Sequence, residues 1–251
     1  KADGRKALIT FLTVGDPNME VSEKAIYTMQ EEGVDLIELG VPFSDPAADG
    51  PVIQRADERA LAQGVDIFKV FELVRKIRNN VEVPMVFLLY YNVMVQYGIE
   101  KFFKRCQETG VDGLIIPDLP YEESDEIKEY TEKYGVYQIS LVSPTSKDRI
   151  KNIAKDAKGF LYCISSLGVT GEKSSFVTNF DEFVGTIKKY TDVPACVGFG
   201  VSNGRQVKEL TKYFDGAIVG SAIVKSIATG ESVEERINNL REKIKDLKSG
   251  L

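Results

Sequence analysis

Short apolar runs alternate along the whole chain with longer stretches in which apolar positions recur every three or four residues. The runs are Ala7–Thr13, Leu36–Val41, Pro84–Tyr91, Gly113–Asp118, Val136–Ser143, Phe160–Ser166, Pro194–Val201 and Gly216–Gly220. They are almost continuously apolar, as expected of strands covered on both faces of a parallel sheet. The helical spacing falls over Met19–Glu32, Ile67–Asn79, Ile99–Thr109, Glu122–Tyr134, Lys147–Asp156, Phe180–Tyr190, Gly204–Tyr213 and Val233–Leu247. Eight strands, each followed by a helical stretch, predict a closed α/β barrel, (β/α)8, rather than an open doubly wound sheet. The length of 251 residues suits one such barrel as a single domain over residues 1–251.

Two connections are longer than a strand-to-helix turn needs, Pro42–Asp66 and Leu167–Asn179. In a barrel both lie at the carboxyl ends of the strands, the face that carries active sites, so they are expected to be active-site loops.

Composition narrows the chemistry. A net charge of -6, with neither sign gathered into a tail, gives no electrostatic footprint for nucleic acid or a membrane surface. An anionic ligand would then be held locally, by backbone amides or a helix N-terminus. Cys106, Cys163 and Cys196 are odd in number and lack paired spacing, which suits small core residues in a reducing cytoplasm. No apolar run reaches the ~18 residues that span a bilayer, and the N-terminus has no signal-peptide pattern. The chain has no histidine, so the commonest general base and the commonest metal ligand are both missing, and no metal site is expected.

Glu38 stands inside the apolar strand Leu36-Ile37-Glu38-Leu39-Gly40-Val41, where a charge is costly. It is either an acid tied into a structural hydrogen-bond network or a general acid/base with a pKa raised by desolvation, and the second reading is preferred. Asp49 lies in the long loop just before a helical pattern, with Gly50 suited to the N-cap and Pro51 to the first helical position. Its reading is open between cap chemistry and function. Gly198-Phe199-Gly200 and Gly220-Ser221 follow the seventh and eighth strands, where this fold often binds phosphate. The next glycine, Gly204, falls one position too far on for a dinucleotide fingerprint. Gly168-Val169-Thr170-Gly171 opens the second long loop and is either a hinged lid or a plain surface loop; Tyr162, just before it, reads on its own as core packing. Strand ends carry no lysine for a Schiff base, so any carbon–carbon chemistry must rest on carboxylates and the substrate's own electronics.

Together, Glu38-Leu39-Gly40-Val41-Pro42-Phe43-Ser44-Asp45-Pro46, Ala48-Asp49-Gly50-Pro51, Gly168-Val169-Thr170-Gly171, Gly198-Phe199-Gly200 and Gly220-Ser221-Ala222-Ile223-Val224 resemble the tryptophan synthase α-subunit family, as does Thr13-Val14-Gly15-Asp16-Pro17. The motifs fall in family order over nearly the whole chain. The resemblance implies a lyase that cleaves indole-3-glycerol phosphate to indole and glyceraldehyde 3-phosphate, a retro-aldol reaction in which the indole ring is the electron sink. By matched position, Glu38 is implied to be the general acid/base, Asp49 to stabilise charge at the indole nitrogen, and Tyr162 to be an active-site tyrosine. Phe11, Leu88, Ile115 and Phe199 match the indole pocket, and Gly171, Gly200, Gly220 and Ser221 the phosphate cradle. Thr170 matches a closing-loop residue that contacts the catalytic aspartate.

The resemblance further implies no cofactor in this chain, a β-subunit partner carrying pyridoxal phosphate in an αββα complex, and an interface that includes Pro42–Gln63. The sequence departs from the family pattern at Ala47, where a larger aliphatic residue is usual, at Lys173, where arginine is common, and before Ala7, where the family's amphipathic helix is nearly absent. A stand-alone lyase releasing free indole and a non-catalytic activator of the β subunit are the alternative readings.

Overall fold

A computed structural model describes residues 4–164, 179–198 and 200–251. The strands are β1 (Ala7–Thr13), β2 (Leu36–Gly40), β3 (Met85–Leu88), β4 (Gly113–Ile115), β5 (Tyr137–Gln138), β6 (Ser140–Val142), β7 (Leu161–Ile164), β8 (Ala195–Gly198) and β9 (Gly216–Val219). The helices are α1 (Met19–Glu31), α2 (Pro51–Ala62), α3 (Ile67–Ile77), α4 (Tyr91–Tyr97), α5 (Ile99–Thr109), α6 (Asp125–Tyr134), α7 (Lys147–Asp156), α8 (Phe180–Lys188), α9 (Gly204–Leu210), α10 (Ser221–Ala228) and α11 (Val233–Lys248). Five of these helices begin on a residue whose side chain accepts an amide of the first turn: Asn18, Asp66, Asn179, Asn203 and Ser232. Such caps satisfy amides that have no partner within the helix.

All pairings are parallel, in the order β5-β4-β3-β2-β1-β9-β8-β7-β6. The two outer segments are neighbours in sequence, so the sheet closes on itself and forms the expected barrel. The predicted fifth strand, Val136–Ser143, is therefore two segments. Tyr137 and Gln138 pair with β4, the Ile139 amide still donates to Leu114 O, and from Ser140 onward the chain pairs with β7.

Strand alternation sorts side chains between two apolar compartments. Ile9, Val86, Ile115, Ile139, Phe160, Tyr162, Cys196 and Ile218 fill the barrel interior. Residues of opposite parity, such as Leu8, Ile37, Phe87, Leu161 and Val197, pack against the helices. A ladder of edge-on rings, Phe71 against Phe87 and Phe102 at 5.3 Å, marks the helix-facing layer near β3; such contacts add to burial through their edge-to-face geometry.

The amino ends of three strands are locked by one device. Asp35 Oδ2 accepts from the Leu8 amide while the Asp35 amide donates to Leu8 O; Asp112 does the same with Met85, and Asp215 with Ala195. Each aspartate precedes its strand and seals the first or second residue of a neighbouring one, so these carboxylates keep edge amides satisfied at the barrel's closed end.

Several boundaries differ from expectation. The strand predicted to run to Tyr91 stops at Leu88, and Tyr91–Tyr97 is a helix. The long segment 42–66 contains α2, with Gly50 as its N-cap and Pro51 in its first turn, as the local pattern had indicated.

Candidate active site

Glu38 sits on β2 in register with Phe11 of β1 and Val86 of β3, two residues from the carboxyl end of its strand. Its parity turns it into the barrel with Leu36, a neighbour of the interior cluster. It is 1% exposed, and among the described residues its Oε1 is the buried side-chain polar atom without a hydrogen-bond partner. Burial therefore drives its carboxyl pKa up to about 8, and the group is mostly protonated at neutral pH. Oε1 is thus outside any hydrogen-bond network of the kind that a structural acid would join.

Asp49 lies in the loop between β2 and α2 and is 7% exposed. The Tyr90 hydroxyl donates to its Oδ2 at 2.8 Å and in turn accepts from the Ala48 amide at 2.9 Å. Phe43 stacks on the Tyr90 ring at 4.9 Å, and Gln54 Nε2 holds Asp49 O at 2.8 Å. Burial raises the Asp49 carboxyl and the tyrosine hydrogen bond counters it. Asp49 is thus held through its carboxylate by Tyr90 at the start of α4 and through its carbonyl by Gln54 of α2, with Phe43 of its own loop packed on Tyr90.

Tyr162 on β7 is buried, and its phenol is pushed up by burial first, then by the charges of Glu38 and Asp49. The structure thus brings the three together across the barrel mouth. A Cβ at Gly198 would come within 2.7 Å of the Tyr162 hydroxyl, so glycine there makes room for the phenol. Gly40 does the same for Phe11, whose ring would stand 2.5 Å from a Cβ at that position.

Phe11 is buried against Ile53 and Ala56 of α2 and Val224 of α10, with Leu88 beside it, while Ile115 belongs to the interior cluster. This gives an apolar wall next to the carboxylates. Gly220 is the N-cap of α10 and lies at 3.7 Å from Phe11, measured from the Cβ it would carry, so the start of that helix faces the same wall. Ser221 opens the helix and is buried. Gly200 takes φ +90°, a conformation that suits glycine. Thr170, Gly171 and Phe199 lie outside the described residues.

Three residues escaped the sequence reading: Tyr90, Phe43 and Asp57. Tyr90 was hidden because Leu88-Leu89-Tyr90-Tyr91 reads as strand. Asp57 had a signal: it lies on the buried stripe Ile53, Ala56, Asp57, Ala60 of α2, where an acid stands out. It is 5% exposed and accepts from Thr13 Oγ1 at 3.4 Å.

Comparison with known proteins places the chain in a family. The family model described as tryptophan synthase alpha chain matches residues 1–251. A tryptophan synthase alpha chain of Thermoanaerobacter sp. (strain X514) is 47% identical over 251 residues, covering 100% of this chain and 96% of the relative. That of Methanocaldococcus jannaschii is 48% identical over 229 residues, covering 90% and 81%. Among solved structures, tryptophan synthase from Mycobacterium tuberculosis superposes with a TM-score of 0.89 at 35% identity, covering 99% of this chain and 93% of that one. Tryptophan synthase subunit alpha from Campylobacter jejuni gives 0.85 at 40%, covering 95% of each. Matched along its whole length in sequence and in barrel architecture, the chain belongs to the tryptophan synthase alpha chain family.

Proposed function

We propose that this chain is a lyase cleaving indole-3-glycerol phosphate to indole and glyceraldehyde 3-phosphate, the α-subunit reaction of tryptophan synthase in tryptophan biosynthesis. The observation that carries the reading is Glu38: a buried, protonated carboxyl without a partner for Oε1, beside an apolar wall and a second pinned carboxylate.

The chemistry follows from the two acids. Glu38 donates its proton to C3 of the indole ring, and the positive charge formed spreads to N1, where the Asp49 carboxylate stabilises it. The Glu38 carboxylate then takes the hydroxyl proton from the adjacent side-chain carbon. The bond between that carbon and C3 breaks, its electrons return to the ring, an aldehyde leaves and Glu38 regains its proton. Tyr162 packs beside both groups and, with Phe11, Leu88, Ile115 and Phe199, forms the indole pocket. The phosphate binds at Gly171, Gly200, Gly220 and Ser221, with the first amides of α10 supplying donors. By matched position, the family's closing-loop role toward the catalytic aspartate is assigned to Thr170. No cofactor in this chain is needed, because the protonated ring is the electron sink.

A β-subunit partner carrying pyridoxal phosphate would receive the indole in an αββα complex in the cytoplasm. The surface proposed for it includes residues 42–63, where α2 and its loop frame Asp49. Among the described residues no helix is long and apolar enough to cross a membrane.

The test is indole release from indole-3-glycerol phosphate by the purified chain and by Glu38→Gln, each with and without excess β subunit. Turnover abolished by the substitution and raised by the partner supports the reading. Fast turnover that ignores the partner favours a stand-alone lyase. No indole with β-subunit activity still enhanced leaves a docking protein.

A further inference from the structure

Beside Asp49 lies a second buried aspartate that the reaction above does not use. Asp57 is on α2, two turns into the helix that Asp49 precedes. The Thr13 hydroxyl, at the carboxyl end of β1, donates to its Oδ1, and the backbone amide of Phe43 is directed at the same carboxyl group. Phe43 is the residue whose ring stacks on Tyr90, and Tyr90 holds Asp49. A continuous path of contacts thus runs from the barrel rim through Asp57 and Phe43 to Asp49.

The charges around the pair are accounted for. From the β1–α1 connection comes Asp16, and from α2 comes Arg59, which places Nε at 2.6 Å and Nη2 at 2.9 Å on the two oxygens of Asp16. Arg59 is therefore engaged with Asp16 in a forked pair. Tyr90 faces both Asp49 and Asp57 from the start of α4, and Tyr162 on β7 feels the charges of Asp49 and Glu38. Two buried acids in this company do not both ionise easily.

We propose that Asp57 is a positioning residue for Asp49: it ties the β2–α2 loop to the barrel rim through Thr13 and the Phe43 amide, holds Asp49 through Phe43 and Tyr90, and has its protonation coupled to the charge on Asp49. The reading rests on Asp49 serving the reaction proposed above. Burial first and the Asp49 charge second push Asp57 up to about 8, against the hydrogen bonds from Thr13 and the Phe43 amide, and burial likewise raises Asp49, against the hydrogen bond from Tyr90.

The experiment has an arm that needs no substrate. In protein labelled with [γ-13C]aspartate, the Asp57 carboxyl is titrated in the wild type and in Asp49→Asn. Removal of the neighbouring charge should lower the Asp57 midpoint by about one unit. In the activity arm, Asp57→Ala should cut kcat/KM at neutral pH by at least about tenfold, the order expected when a catalytic group loses its placement. Asp57→Asn, which keeps an acceptor for Thr13 and mimics the protonated acid, should restore most of it. An unmoved Asp57 midpoint in Asp49→Asn, or an Asn variant as impaired as the Ala variant, overturns the proposal. If Asp57→Ala does not fold, the titration and the Asn variant decide. If the wild type releases no indole, the functional reading fails while the titration still reports on the pair.

Discussion

The two ends of the barrel use the same functional group in opposite ways. At the amino ends of the strands, Asp35, Asp112 and Asp215 each accept a backbone amide and return a backbone bond. At the carboxyl ends, Glu38 is buried with an unpaired oxygen, and Asp49 and Asp57 are buried close enough to feel one another. A carboxylate that completes its neighbours' hydrogen bonds supports the fold; one held away from water with its oxygens unspent is poised for proton transfer and costs stability. The comparison teaches that two things set the role of a carboxyl together: the amino-end aspartates are only half-buried and have paired oxygens, whereas those at the mouth are buried and Glu38 keeps an oxygen unpaired.

The largest expected effect breaks the comparison at its active end. Glu38→Gln should lower indole release by about two to four orders of magnitude, the usual contribution of a general acid/base. In the wild type, kcat/KM should fall as pH rises through about 8, because the proton delivered to the ring is then lost; a profile flat to about 1.5 pH units above that value would remove Glu38 from the acid role.

The same residue gives the next largest effect, in stability. Its folded-state pKa of about 8 lies above the unfolded value of 4.5, so between those pH values the folded chain holds a proton that the unfolded chain releases. Stability is therefore lost as pH rises across that window, and Glu38→Gln should be the more stable protein at pH 8 by about one to a few kcal/mol, with the gap closing near pH 4.5. Urea denaturation at both pH values measures it; a variant less stable at the upper pH would contradict the unpaired-acid picture.

At the closed end the sign reverses. Asp215→Ala leaves the buried Ala195 amide without its acceptor and should destabilise by about 1–3 kcal/mol while kcat changes little. Thermal unfolding and indole release, read together, check both halves. The smallest effect is at Tyr90: Phe in its place removes the 2.8 Å bond to Asp49. The Asp49 midpoint should then rise, with a loss in kcat of about threefold to tenfold, roughly the net worth of one ordinary hydrogen bond; an unchanged kcat would mean that other contacts suffice to hold Asp49.

Much of this was readable from residues in order, for a physical reason in each case. Glu38 stood out because an ionisable group interrupts an otherwise apolar strand, and Gly50-Pro51 announced α2 because proline fits only the first turn of a helix. The break of the fifth strand at Ile139 had no local signature: Val136–Ser143 is one β-forming run, and only the change of partner from β4 to β7 divides it. The helix at Tyr91–Tyr97 was masked because the aromatic and branched residues that open it favour strands equally well. Asp57 needed its partners Thr13 and Phe43, which are distant in sequence, before its burial could be interpreted.

The glycines behind Phe11 and Tyr162 carry a consequence for how such a mouth can change over time. Gly40 and Gly198 each occupy the volume that an aromatic ring from the adjacent strand fills, with clearances of 2.5 and 2.7 Å to a methyl that is absent. Neither member of a couple can be exchanged alone: a side chain at the glycine evicts the ring, and a smaller residue at the ring leaves a void. Drift at this rim must therefore proceed by paired replacement, and in related chains an alanine or serine at either glycine position should arrive together with a shrunken partner across the strand.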